Sequence, residues 1–91
     1  MWYDIEVFLT GPQIRAARGL VGWSQTDLAF AAGIGLATVQ RLERQDGMLR
    51  GITDTIWKIR KALEEAGIIF IEGDDSTGPG VRLSKPISDN G

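Results

Sequence analysis

Along this chain the hydrophobic positions first repeat with a helical period and then, past Gly67, stop doing so. Ile14, Ala17 and Val21 form one apolar stripe; Leu28, Ala29 and Ala32 form a second. Val39 and Leu42, spaced i, i+3, anchor a third, and Ile56, Ile59, Leu63 and Ala66 make a fourth. Start and stop signals bracket each stripe. Thr10 and Gln13 have the spacing of a capping box, Pro12 is tolerated in a first turn, and Gly22 ends the helix. Ser24 caps the second helix, Asp27 sits near the positive end of its dipole, and Gly33 stops it. Trp23 and Leu28 have the spacing of a hydrophobic staple. The third helix is predicted from Leu36 to Arg44, followed by a loop with Gly47 and Gly51 as breakers. Thr53 is predicted to cap a fourth helix from Asp54 to Ala66, with Ile52 and Trp57 stapling its start.

Beyond Gly67, Ile68–Ile71 and Val81–Leu83 predict two strands joined by a polar loop, Gly73 to Gly80. The helical core is expected to be complete by Ala66. The strands would then offer an apolar face, either Ile68, Phe70 and Val81 or Ile69, Ile71 and Leu83. The opening residues MWYDIEVFL alternate Ile5, Val7 and Leu9 with Glu6 and Phe8, which fits either an extended segment or a loose arm. The tail from Pro86 on is expected to be loose. The predicted fold class is mainly α: a four-helix unit over 10–66 and a β-hairpin over 67–85. Residues 1–9 form a strand or arm, and residues 3–9 offer a third strand.

Composition narrows the chemistry. With 91 residues, the length suits one domain. The chain has neither cysteine nor histidine, which removes disulfides, the thiol nucleophile, the commonest general base and most zinc sites. No cofactor or metal is expected, and an enzyme is disfavoured. Asp74 and Asp75 lack the ligand spacing of a calcium loop, and neither GxGxxG nor a P-loop lysine is present. No apolar run approaches the roughly 20 residues that span a bilayer. Met1–Leu9 carries Asp4 and Glu6 instead of the basic start of a signal peptide. A cytoplasmic setting is expected. Net charge is −2, yet residues 13–60 hold seven basic and four acidic side chains. A locally basic surface on a mildly acidic chain is compatible with DNA.

Two short helices joined by a glycine turn can lay the second helix in a DNA major groove and the first across the backbone. That use needs a rigid turn, apolar anchors on one face of the second helix, and polar or basic side chains on the other. Gly33 supplies the turn, Val39 and Leu42 the anchors, and Gln40, Arg41 and Arg44 the free face. The run Ser24-Gln25-x-Asp27-Leu28-Ala29-x3-Gly33-x5-Val39-x2-Leu42-Glu43 resembles the xenobiotic-response-element (Cro/C1-type) helix-turn-helix family of phage and bacterial repressors. The likeness covers about residues 11–66, and the ending ALEEAGIIFIEG…GVRLSK is similar to that of small bacterial regulators of this group.

The resemblance implies a double-stranded DNA partner and a set of contacts. Gln25 matches a position that hydrogen-bonds a phosphate. Leu36, Ala37 and Arg41 match positions that face base edges, with Gly35 and Thr38 beside them. Arg41 could bond guanine O6 and N7 together, whereas Leu36 and Ala37 are limited to apolar contacts such as a thymine methyl. This departs from glutamine-rich phage repressors and shifts weight to Arg41, Gln40 and DNA shape. Arg44 and Arg50 are phosphate candidates. Arg18 and Glu43 match a structural salt bridge between the first and third helices. Lys61 with Glu65 and Arg60 with Glu64 read as solvated i, i+4 pairs. Trp2, Trp23 and Trp57 read as core or interface.

A recognition unit of this size is expected to act as a homodimer on half-sites roughly 34 Å apart. The strands are the candidate dimer element, or else a surface for a second protein such as a sigma factor, an activator or a toxin. Two functions follow: a transcriptional regulator of repressor type, or a protein-interaction module (antitoxin or anti-activator) on the same fold.

Overall fold

Caps decide where the helices begin and end. A computed structural model describes residues 8–49 and 53–87. Four helices precede a hairpin: α1 (Gly11–Val21), α2 (Gln25–Ala32), α3 (Leu36–Glu43), α4 (Thr53–Glu65), β1 (Ile68–Ile71) and β2 (Gly80–Leu83). Two of the three predicted caps form. Thr10 Oγ1 accepts from Gln13 N–H at 3.1 Å while the Gln13 side chain accepts from Thr10 N–H at 2.9 Å. Ser24 Oγ accepts from Asp27 N–H at 3.0 Å, and Asp27 accepts in return from Ser24 N–H at 2.9 Å. Asp27 therefore completes a second capping box in addition to facing the dipole. Gly33, at φ 70°, ends α2 in the left-handed region, where its N–H reaches back to the Ala29 and Phe30 carbonyls.

Four boundaries shift. Helix α3 ends at Glu43, with Arg44 as its C-cap. Thr53 is the first residue of α4 and not its cap, while Ala66 lies just past the end, its N–H shared between the Ala62 and Leu63 carbonyls. Strand β2 begins one residue early, at Gly80. Ile52 of the predicted staple, Trp2, and residues 3–7 of the strand expected over 3–9 fall outside the described residues. The described end of that segment pairs elsewhere than with the hairpin: Thr10 bridges Met48, and Leu9 O accepts from Leu49 N–H at 2.9 Å.

One core joins the helices to the hairpin. Ile14, Ala17, Leu28, Ala29, Val39, Leu42, Ile56, Ile59, Ala62 and Leu63 are buried together with Leu9, Ile68 and Phe70. The helical core is thus not complete at Ala66, because Ile68 and Phe70 fill it. The antiparallel register pairs Ile68 with Leu83 and Phe70 with Val81, so these four share the inner face. Ile69 and Ile71 point outward opposite Arg82 and Gly80, and Leu83 belongs with Ile68 rather than with them. Gln13 ties the hairpin to α1. Its Nε2 donates to the carbonyls of Gly80 at 3.1 Å and Ile71 at 3.4 Å.

Candidate nucleic-acid interface

The third helix has two chemically distinct faces. Val39, Leu42 and Glu43 are buried, while Leu36, Ala37, Gln40 and Arg41 are exposed, as are the flanking Gly35 and Arg44. Thr38 is half-buried. Spacings of three and four put Ala37, Arg41 and Arg44 in one row and Leu36 and Gln40 in the next. Gly35 starts the helix without a side-chain cap; its carbonyl accepts from Thr38 and Val39 N–H groups at 3.1 and 3.2 Å. All the predicted residues of this helix therefore lie on one side of the molecule. Arg50 falls outside the described residues.

Charge pairing separates this face from that of α4. On α4, Lys58 pairs with Asp54 at 3.3 Å, Arg60 with Glu64 at 3.3 Å, and Lys61 with Glu65 at 3.8 Å. Arg60 also donates to Phe8 O at 3.0 Å and stacks over the Phe70 ring, and Lys61 lies over the half-exposed Trp57 ring. Those cations are locally neutralised. Arg41 and Arg44 make no ion pair among the described residues. Arg82 and Lys85 at the hairpin are likewise exposed without an ion pair among the described residues, so unneutralised positive charge lies there and on the outward face of α3, where an anionic partner would meet it.

Behind that face lies a buried polar cluster. Glu43 is only 3% exposed. Its two carboxylate oxygens accept from Arg18 Nε at 2.7 Å and Arg18 Nη2 at 2.9 Å, a bidentate pair of the kind expected from the resemblance. Arg18 Nη1 also donates to Trp23 O at 2.9 Å, so one guanidinium binds α3 and the start of α2 to α1. Its pKa is raised above the ordinary arginine value, chiefly by the hydrogen bond to Glu43; burial opposes this, and that carboxylate's charge adds a smaller upward effect.

One member of this cluster had no distinct signal in the sequence, and another was expected only as a phosphate contact. Arg15 Nη1 donates to the Glu43 backbone carbonyl at the negative end of α3. Gln25 Nε2 donates to Glu43 Oε1 at 3.2 Å, so the amide expected on a phosphate is already held at one end by a carboxylate. Arg15 looks like an ordinary helix-surface residue in a linear reading, and the bond from Gln25 to Glu43 is equally hidden there, because the partner of both is contributed by α3. Helical spacing puts Glu43 beside Val39 and Leu42 on the inner face, a hint that adds to the Arg18–Glu43 salt bridge implied by the resemblance.

Asp74 serves the hairpin loop. Its Oδ1 accepts from Ser76 N–H and Thr77 N–H, both at 2.7 Å, and from Thr77 Oγ1 at 3.1 Å. The Thr77 and Ser76 backbone bonds, then the Thr77 hydroxyl, hold its pKa below the ordinary aspartate value. Among the described residues no helix is long and apolar enough to cross a membrane.

A family model described as helix-turn-helix matches residues 14–65, more than half of the chain. The matched stretch contains every described residue of the α3 face and Gln25 at the start of α2. No curated protein matches the sequence.

Proposed function

The chain belongs to the Cro/C1-type helix-turn-helix family, a group of DNA-binding regulators, and on that premise we propose that it is a transcriptional repressor. It acts in the cytoplasm as a homodimer on an inverted-repeat operator. Helix α3, with its C-cap Arg44, enters the major groove. Arg41 reads a guanine, Gln40 lies beside it, and Leu36 and Ala37 pack on thymine methyls or the sugar edge. Gly35 and Thr38 flank the approach. Gln25, Arg44 and Arg50 hold the phosphate backbone. The observation that carries this reading is the contrast in charge pairing: Arg41 and Arg44 are exposed and without ion pairs among the described residues, while the α4 cations are paired.

Selection of bound duplexes from a random pool tests it. The expected product is an inverted repeat whose half-sites lie about one helical turn, roughly 34 Å, apart. Arg41→Ala should relax the preference at one base pair per half-site at a cost of about 1–3 kcal/mol. No enrichment at low salt would defeat the proposal.

Residues 10–66 form the reading unit, and the hairpin over 67–85 joins the two copies. What supports this division is the outer face of the hairpin, where Ile69 is 45% and Ile71 42% exposed. The same face supports a second reading, in which the hairpin docks a different protein and the molecule works as an antitoxin or anti-activator. The two readings separate in sedimentation: the first gives a dimer of the purified chain, the second a monomer.

A further inference from the structure

We infer that Glu43 is a positioning residue for the DNA-backbone contact of Gln25. This rests on the DNA-binding function proposed above. Gln25 opens α2, half-buried, with three side-chain torsions and an amide that could present either end to a ligand. Its Nε2 lies 3.2 Å from Glu43 Oε1. A flipped amide would put its own oxygen against the carboxylate, so Glu43 selects the amide orientation. One N–H is spent on Glu43, and the second remains as a donor for a phosphate oxygen. Glu43 is itself held from behind: Arg18 donates to both carboxylate oxygens and to Trp23 O. Arg15 holds the backbone carbonyl of the same residue. Residues of α1 and α3 thereby set the geometry of a side chain on α2, and the phosphate contact is organised before DNA arrives.

This role gives a sign that simple electrostatics does not. A carboxylate near DNA repels phosphate, so neutralising Glu43 should by charge alone tighten binding. As a positioning group, its loss should weaken binding. A carboxamide at position 43 can donate as well as accept, so both orientations of the Gln25 amide become available and the phosphate donor is no longer selected.

The experiment is a cycle of dissociation constants on the selected operator for wild type, Gln25→Leu, Glu43→Gln and the double variant. Each is measured at one salt concentration, with the folded fraction checked by circular dichroism. Gln25→Leu should weaken binding about tenfold, as expected for one hydrogen bond to a charged acceptor. Glu43→Gln should weaken binding about fivefold alone and change it by less than about twofold in the Gln25→Leu background, since the coupled term is already gone. Equal factors in both backgrounds, or tighter binding by Glu43→Gln alone, would overturn the inference. If Glu43→Gln does not fold, Glu43→Asp replaces it. That change keeps the charge opposite Arg18 but withdraws the carboxylate from Gln25 by one methylene, and the same pattern of factors decides. Operator binding by wild type with additive variants sinks only this inference, whereas failure of wild type to select any DNA sinks the proposed function as well.

Discussion

Single side chains in this protein carry more than one structural duty, and Gln13 shows it most clearly. Its Oε1 completes the α1 cap while its Nε2 holds the hairpin through two carbonyls. A glutamate at this position would keep the acceptor and lose both donors, setting a carboxylate against the Ile71 and Gly80 carbonyls. Gln13→Glu is expected to cost about 2–3 kcal/mol in urea unfolding, although glutamate is the more usual capping-box partner. A loss below about 0.5 kcal/mol would mean the hairpin bonds contribute little. The Arg18–Glu43 pair follows different bookkeeping. Arg18→Met strands a buried carboxylate and should cost about 3 kcal/mol. The double variant Arg18→Met/Glu43→Leu removes both charges and should be more stable than Arg18→Met alone. If the double variant is the worse of the two, the pair contributes net stability beyond mutual compensation. The capping function of Gln13 was legible from Thr10-x-x-Gln13. Its hairpin bonds were not, since they join residues separated by 58 and 67 positions.

Among the elements, glycines mark both what the pattern shows and what it hides. Gly33 was readable because it follows an apolar stripe, and its φ of 70° matches the predicted stop. A Cβ there would meet open space, so Gly33→Ala should cost only the backbone strain of about 1–2 kcal/mol. Gly11 gave no signal, standing between a cap and a proline. A Cβ on it would collide with the Gln45 backbone carbonyl just beyond α3. Helix propensity alone makes Gly11→Ala stabilising by up to about 1 kcal/mol. The close approach reverses that sign, and a net loss of about 1–3 kcal/mol is expected, with α1 and α3 forced apart. A thermal melt at or above wild type would show that the contact relaxes easily. The hairpin loop behaves as its own unit. Asp74 has a lowered pKa in the folded loop, so its contribution is present above the ordinary aspartate pKa and lost as pH falls through the lowered value. An NMR titration of the Asp74 carboxyl should show a midpoint below that of an ordinary aspartate. Thr77→Val should move it upward only part of the way, because both backbone donors remain. Helix stripes, caps and the Gly33 turn were legible because they are local. The Ile68/Phe70 contribution to the core was not, because strand parity shows which residues share a face but not what that face meets.

At the scale of the whole molecule, the hairpin has one face committed and one free. Ile68 and Phe70 are fixed in the core, which leaves Ile69 and Ile71 able to change without loss of folding. Lysine at both outward positions, Ile69→Lys/Ile71→Lys, should therefore leave the melting temperature of the isolated protomer nearly unchanged. In the proposed dimer it should act on assembly, since two like-charged faces related by a two-fold axis repel and lose their apolar contact. Salt dependence then reports how many copies engage DNA. If Arg44 and Arg50 each neutralise one phosphate, a single copy contributes about −1.8 to the slope of log K against log salt, and a pair about −3.6. Wild type on the full inverted repeat should show the steeper slope. The lysine variant adds positive charge, so simple attraction to DNA would make its slope steeper still. A halved slope, together with weaker binding, is expected only if the variant occupies the operator one copy at a time. A variant that keeps the dimeric sedimentation coefficient and the steep slope would move the subunit contact away from the hairpin and onto another surface of the protein.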